Sequence, residues 1–76
     1  MEARNWRWVS RDSDSDMVYA FTEAKPPEPL EEDDAIIFDG FILCSMLHDE
    51  FLALTGIHIQ PGTCRKVEFT AKVLEE

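Results

Sequence analysis

Apolar and polar residues alternate along the first part of the chain in a way that predicts two β-strands. In the stretch NWRWVSR, Trp6 and Trp8 fall on one face and Arg7 and Val9 on the other, and MVYAFTE alternates in the same manner. The intervening DSDSD supplies short polar side chains that bond to nearby backbone and tolerate tight turns. Together the three segments predict a β-hairpin.

A segment rich in proline and acids follows, at residues 25–34 (KPPEPLEEDD). Its three prolines and five acids predict an extended, solvated connection of polyproline character. The next stretch, AIIFDGFILC, is almost entirely apolar and predicts a central strand that is buried on both faces. Asp39 and Gly40 within it indicate a bulge or a tight turn, and a bulge is favoured because the apolar arms are short.

The apolar period changes to that of a helix in SMLHDEFLALTG. Leu47, Phe51 and Leu54 recur at helical spacing. Ser45 is the predicted N-cap, and Gly56 is the predicted C-terminal stop. The segment therefore predicts one short amphipathic helix.

Regular alternation returns in CRKVEFTAKV and predicts a closing strand with Val67, Phe69, Ala71 and Val73 facing inward. The resulting order β-β-β-α-β predicts an α+β fold, a small antiparallel sheet with one short helix packed on one face. A chain of 76 residues buries only about 60% of its unfolded surface, so one core is expected. Residues 1–76 are interpreted as a single small acidic domain.

The formal net charge of -9 is concentrated in one part of the chain. Residues 12–34 carry nine acids and one base, a net charge of -8. Such a surface repels phosphates, which disfavours direct binding to nucleic acids or anionic membranes and favours basic proteins or cations as partners. The predicted binding face consists of Asp12, Asp14, Asp16, Glu23, Glu28, Glu31, Glu32, Asp33 and Asp34.

A calcium site is an alternative interpretation of the aspartate-rich turn. Counted from Asp12, carboxylates occupy positions one, three, five and twelve of a calcium-loop template, ending at Glu23. Position six, where the template needs glycine, is Met17. Both flanks also alternate as strands rather than helices, so the hairpin turn is favoured.

A zinc site is a second alternative, since Cys44, His48, His58 and Cys64 are residue types that zinc binds. The paired-cysteine spacing of zinc knuckles is missing, and no third group orients a cysteine nucleophile. The two cysteines are therefore interpreted as reduced core residues, and no metal, cofactor or catalytic residue is predicted.

Four aromatic residues of the hairpin raise the question of base stacking. A stacking surface for single-stranded nucleic acid needs a basic rim, and the neighbouring segment is acidic. Core and cross-strand packing is therefore predicted for Trp6, Trp8, Tyr19 and Phe21.

The N-terminal MEARNWRWVSR lacks the apolar core of a signal peptide. No apolar run approaches the roughly 18 residues that span a bilayer. A cytoplasmic location is expected.

The patterns W-V-S-R-D … V-Y-A-F-T-E-A-K-P, G-F-I-L … F-L-A-L-T-G and C-R-K-V-E-F resemble small accessory proteins carried by bacteriophages and prophages. An early R-D turn, a K-P after the second strand and a closing K-V-E strand carry the resemblance, and the acidic connection at residues 26–34 is longer here. The resemblance implies a viral origin, an accessory role and action in a bacterial host's cytoplasm. By analogy of charge and size, some small acidic phage proteins inhibit defence nucleases, including CRISPR effectors, at their nucleic-acid sites.

The expected function is non-enzymatic protein binding, through an acidic surface that imitates phosphates and inhibits a basic, nucleic-acid-binding host protein. Duplex DNA carries one charge per roughly 1.7 Å, a density that closely spaced carboxylates can approach. The alternatives are a calcium- or zinc-binding module and a structural phage accessory protein.

Overall fold

The computed structural model describes residues 5–69, which form six strands and one helix. The elements in chain order are β1 (Trp6–Arg11), β2 (Met17–Phe21), β3 (Glu28–Glu32), β4 (Ala35–Asp39), β5 (Ile42–Leu47), α1 (His48–Thr55) and β6 (Thr63–Glu68). Four strands form an antiparallel sheet in the order β5-β2-β1-β6, and β3 pairs with β4 in a separate antiparallel hairpin. The predicted α+β class with one short helix is confirmed.

The predicted hairpin of β1 and β2 is present. Val9 lies opposite Ala20 and Arg11 lies opposite Val18. In the turn, the Ser15 hydroxyl accepts a hydrogen bond of 3.0 Å from the backbone N–H of Met17. Short polar side chains thus stabilise this turn, as their local bonding capacity predicts.

The hydrophobic core lies on the face of the four-stranded sheet that α1 covers. Phe51 of α1 and Ile59 of the following segment are 3% and 0% exposed. They pack with residues of β1, β2 and β6, and the cluster consists of Val9, Val18, Ala20, Phe51, Ile59 and Val67. One short helix therefore closes the core over the middle of the sheet.

The aromatic residues of the hairpin divide between two environments. Phe21 is buried, as predicted. Trp6 and Trp8 instead alternate with the buried Val9, so they lie half-exposed on the opposite face. Their rings pack edge to face with centroids 6.3 Å apart, and Lys66 Nζ lies 4.6 Å from the ring centroid of Trp6. The tryptophans cover the outer face of the sheet and do not enter the core.

Two predictions for residues 25–44 are wrong. Residues 28–32 are exposed, as predicted, but they form a strand paired with residues 35–39 and not a polyproline connection. The apolar stretch from Ala35 to Cys44 is not one central strand with a bulge, because the chain leaves β4 at Asp39 and enters the other sheet at Ile42. There β5 forms an edge strand, and most of its side chains are exposed.

The helix begins later than the capping pattern predicts. Ser45 lies in β5 opposite Tyr19, and Leu47 occupies the N-cap position without a side-chain hydrogen bond. The first helical N–H, that of His48, instead donates to the carbonyl of Asp16 at 2.6 Å. Gly56 ends the helix with φ 73°, as predicted.

The closing strand is shorter than its alternation predicts, since β6 ends at Glu68. Val67 is buried, whereas Phe69 is 36% exposed and follows the strand. The predicted inward positions Ala71 and Val73 lie outside the described residues. Within residues 5–69, no helix has the length and apolar character needed to cross a membrane.

Candidate protein-binding surface

The hairpin of β3 and β4, residues 28–39, is called the acidic arm below. Its turn residues Asp33 and Asp34 both have positive φ, 49° and 65°. Two consecutive left-handed residues are typical of the two-residue turn that matches the twist of a hairpin, and aspartate is among the residues that tolerate this backbone. Both carboxylates are therefore held at the tip of the arm, and both residues are exposed.

The turn between β1 and β2 is bonded directly to the acidic arm. The Ser13 N–H donates to the Ile36 carbonyl at 3.0 Å, and the Ser13 hydroxyl accepts from the Ile36 N–H at 2.7 Å. Ile36 in turn lies opposite Glu31 across the arm. Since adjacent strands are about 4.8 Å apart, the backbones of Ser13 and Glu31 are separated by about 10 Å.

This contact brings the acids of two turns into one region of the molecule. We call this region the acidic surface, and it consists of Asp12, Asp14, Glu31, Glu32, Asp33 and Asp34. All of these except the half-buried Asp12 are exposed.

The pKa of Asp12 reflects this environment. Partial burial raises the pKa of its carboxyl, a hydrogen bond from the Phe38 backbone opposes the rise, and the negative charge of Asp14 adds to it. The charges of Asp12 and Asp14 therefore repel each other where the turn meets the arm. A positively charged partner would relieve this repulsion.

Three residues of the predicted binding face lie outside the acidic surface. Asp16 faces Arg11, with 3.2 Å between its Oδ1 and the arginine Nη2. Glu23 and Glu28 lie at the other end of the arm, beside an open cleft of about 310 Å³. Lys25 lines the same cleft, and its Nζ is 3.5 Å from Glu23 Oε2. The nine predicted acids therefore do not form a single face.

Sequence reasoning missed Asp39 as a member of that second group. Asp39 lies opposite Glu28 at the base of the arm and lines the cleft. The cleft also includes the buried Phe21 and the exposed Phe41. Asp39 was missed because the sequence predicts that it lies within a buried strand. A charged residue within an apolar run was the signal that this position is exposed.

The calcium-loop arrangement is not formed. All five residues of β2 lie between Asp16 and Glu23, and the strand alone extends over roughly 17 Å. Asp16 is also engaged by Arg11. The interpretation of this segment as a hairpin turn is confirmed.

The four residues of the alternative zinc interpretation are not brought together either. Cys44 lies in β5 and Cys64 in β6, at opposite edges of the four-stranded sheet, about three strand spacings or 14 Å apart. The rings of His48 and His58 are in contact, with centroids 4.8 Å apart. His48 Nε2, however, already accepts the Ile59 N–H at 3.0 Å. Residues 5–69 contain no group of three or more His, Cys, Asp or Glu that could hold a metal ion.

The environment of His48 predicts a dependence of stability on pH. Burial lowers the pKa of this imidazole, and Arg11 and His58 lower it further, whereas Asp49 and Asp16 act in the opposite direction. Protonation would also remove the acceptor for the Ile59 N–H. Because the native pKa lies below the unfolded value of 6.5, the unfolded state binds more protons, and stability decreases as the pH falls through this range.

We expect the thermal midpoint to fall between pH 7.5 and pH 5.5 at constant ionic strength. His48→Gln should reduce this fall, since an amide oxygen can accept the same hydrogen bond without titrating. Midpoints measured by circular dichroism test this expectation. Equal pH profiles for the native protein and His48→Gln would contradict it.

Comparisons of the chain with protein-family models, with curated proteins and with solved structures find no match.

Proposed function

We propose that this protein is a non-enzymatic inhibitor that binds a basic, nucleic-acid-binding host protein and presents the acidic surface in place of phosphates. The observation that carries the proposal is the pair of hydrogen bonds between Ser13 and Ile36, which joins two acidic turns. We further propose, from the resemblance to phage accessory proteins, that it acts in the cytoplasm of a bacterial host.

The density of charge supports this proposal. Four of the six carboxylates of the acidic surface belong to consecutive residues, 31–34, and the other two belong to the turn that is bonded to Ile36. Phosphates along one DNA strand are also closely spaced, at roughly 3.4 Å per charge. A groove that neutralises a row of phosphates would meet a comparable row of carboxylates.

The geometry of the two turns also favours binding. The two-residue turn at Asp33 and Asp34 restricts the backbone conformation at the tip of the arm, and the backbone of the neighbouring turn is hydrogen-bonded to Ile36. Less conformational entropy is lost when groups are already ordered before association. Burial and Asp14 both disfavour the charged form of Asp12, so a basic partner would gain by neutralising it.

The test compares two triple variants with equal changes of charge. Glu31→Gln, Glu32→Gln and Asp34→Asn remove three charges from the acidic surface, and asparagine tolerates the positive φ of Asp34. The control variant carries Asp49→Asn, Glu50→Gln and Glu68→Gln, all at exposed positions elsewhere. Both variants therefore have the same net charge, and only the place of the change differs.

The native protein is immobilised, a bacterial lysate is passed over it in 50 mM salt, and the retained protein is identified and purified. Its association rate should fall at least tenfold for the acidic-surface variant and less than threefold for the control, because charge complementarity acts mainly on encounter. Binding should weaken as salt rises, and duplex DNA should compete. Binding that is indifferent to salt, to DNA and to the acidic-surface variant would overturn the proposal.

A further inference from the structure

Sheet edges in the described part of the chain differ in how they are protected. The edge strand β6 carries Arg65, Lys66 and Glu68, and β3 carries three glutamates. The edge strand β5, together with the preceding Phe41, contains no charged residue from position 41 to position 47. Exposed edges usually carry charges that prevent pairing with another chain. The β5 edge lacks this protection in a chain of which 30% is charged.

The side chains on this edge expose a large apolar area. Phe41 is 72% exposed, and Ile42, Leu43 and Leu47 are 53%, 54% and 47% exposed. With roughly 200 Å² for a large apolar side chain, these four expose on the order of 450 Å². The backbone of the edge strand adds to this apolar area, and a standard interface buries roughly 800 Å² per partner.

We propose that two copies of the chain associate through β5, antiparallel across a two-fold axis, to form one continuous eight-stranded sheet. Residues opposite each other in antiparallel strands point to the same face, so the axis passes through a residue and not between two. An axis at Cys44 places Phe41 opposite Leu47 of the second copy, and Ile42 opposite Met46 of the second copy. No like charges face each other in this pairing.

Symmetry explains why the pairing is antiparallel, because a two-fold axis perpendicular to a continuous sheet relates two copies of one edge strand that run in opposite directions. Leu47 lies opposite Met17, immediately after the aspartate-rich turn, and Phe41 at the other end of β5 lines the cleft that holds Glu23, Glu28 and Asp39. Acids therefore lie near both ends of β5, and physiological salt screens the repulsion between exposed charges beyond about 8 Å.

The oligomeric state tests the proposal. Sedimentation equilibrium at 5–200 μM protein in 150 mM salt should give twice the chain mass of 8.8 kDa. Leu43→Lys should weaken association at least 100-fold, and since it makes the acidic chain less negative, general repulsion cannot account for the loss. Leu30→Lys, at an exposed leucine of β3, is the matched control and should remain dimeric.

Two further measurements separate loss of association from loss of folding. The amide spectrum of Leu43→Lys should keep its dispersion, and Phe41→Ser, at a position 72% exposed, should also dissociate the dimer. A native protein that is monomeric at 200 μM overturns the proposal. Rapid amide exchange in β5 would then show an edge open to a different protein, and slow exchange would show an edge protected by the same chain. A dimer that survives both substitutions also overturns it, because another surface would then hold the copies together.

Discussion

Replacing Phe51 by alanine is expected to lower the free energy of unfolding by about 3–5 kcal/mol. Phe51 of α1 is 3% exposed and belongs, with Val9 and Val18 of the sheet, to the core cluster. The eight-residue helix is too short to be stable by itself, so its attachment depends on such contacts. The total stability of a domain of this size is about 4–11 kcal/mol, so the thermal unfolding midpoint should decrease by about 20 °C.

Urea denaturation followed by tryptophan fluorescence and circular dichroism measures this change. Leu54→Ala on the same helix is the control, because Leu54 is 75% exposed and its truncation should change stability by less than about 0.5 kcal/mol in the monomer. Measurement at low protein concentration keeps association out of the comparison. Equal losses for the two variants would show that the helix packs through a different face.

Phe21→Ala is expected to have an effect of similar size, about 3–5 kcal/mol, through a different part of the molecule. Phe21 is 2% exposed and lies outside the main cluster, next to the chain that enters and leaves the acidic arm. A Cβ added at Gly40 would approach the Phe21 ring to 2.9 Å, so the backbone here lies directly on the ring. The buried Pro27 lies on the same side. The ring therefore anchors both ends of the arm.

This anchoring role predicts which strands become less protected from amide exchange in Phe21→Ala. In Phe21→Ala, amide exchange should accelerate more in β3 and β4 than in the central strand β1, whereas Phe51→Ala should affect β1 at least as strongly as the arm. Leu30→Ala, on the arm itself but 40% exposed, is the control and should leave the exchange pattern nearly unchanged. Uniform acceleration in Phe21→Ala would mean that arm and sheet unfold as one unit.

Local features of the fold could be predicted from the sequence, and features set by tertiary contacts could not. The first hairpin follows from alternation and from a polar turn, and the helix end follows from Gly56. β3 was missed because Pro29 and three acids disfavour strands. An edge strand accepts proline, and the tight turn at Asp33 and Asp34 brings β3 against the apolar β4. The helix start was misplaced because the first N–H bonds to Asp16, a contact distant in sequence.

The candidate surface was predicted in composition and not in layout. Charge counting identified the acids, but the hydrogen bonds of Ser13 decide which of them are neighbours, and Arg11 withdraws Asp16 from the set.

The position of the apolar stretch that ends at Cys44 could not be predicted from its composition. Hydrophobicity alone does not distinguish a strand that is buried inside the chain from an apolar strand at an exposed sheet edge. The order of strands in the sheet places β5 at the edge.

The two left-handed residues at the tip of the arm have a consequence for how the sequence can change. A left-handed backbone strains residues that have a Cβ, and an Asn-Gly pair suits this turn type better than Asp33 and Asp34 do. Such a pair would make the hairpin more stable and remove two negative charges from its tip. If the acidic surface binds as proposed above, folding stability and electrostatic recognition favour different residues at these two positions. On that proposal the aspartates mark a trade-off, in which the chain keeps negative charge at positions where stability alone would favour other residues.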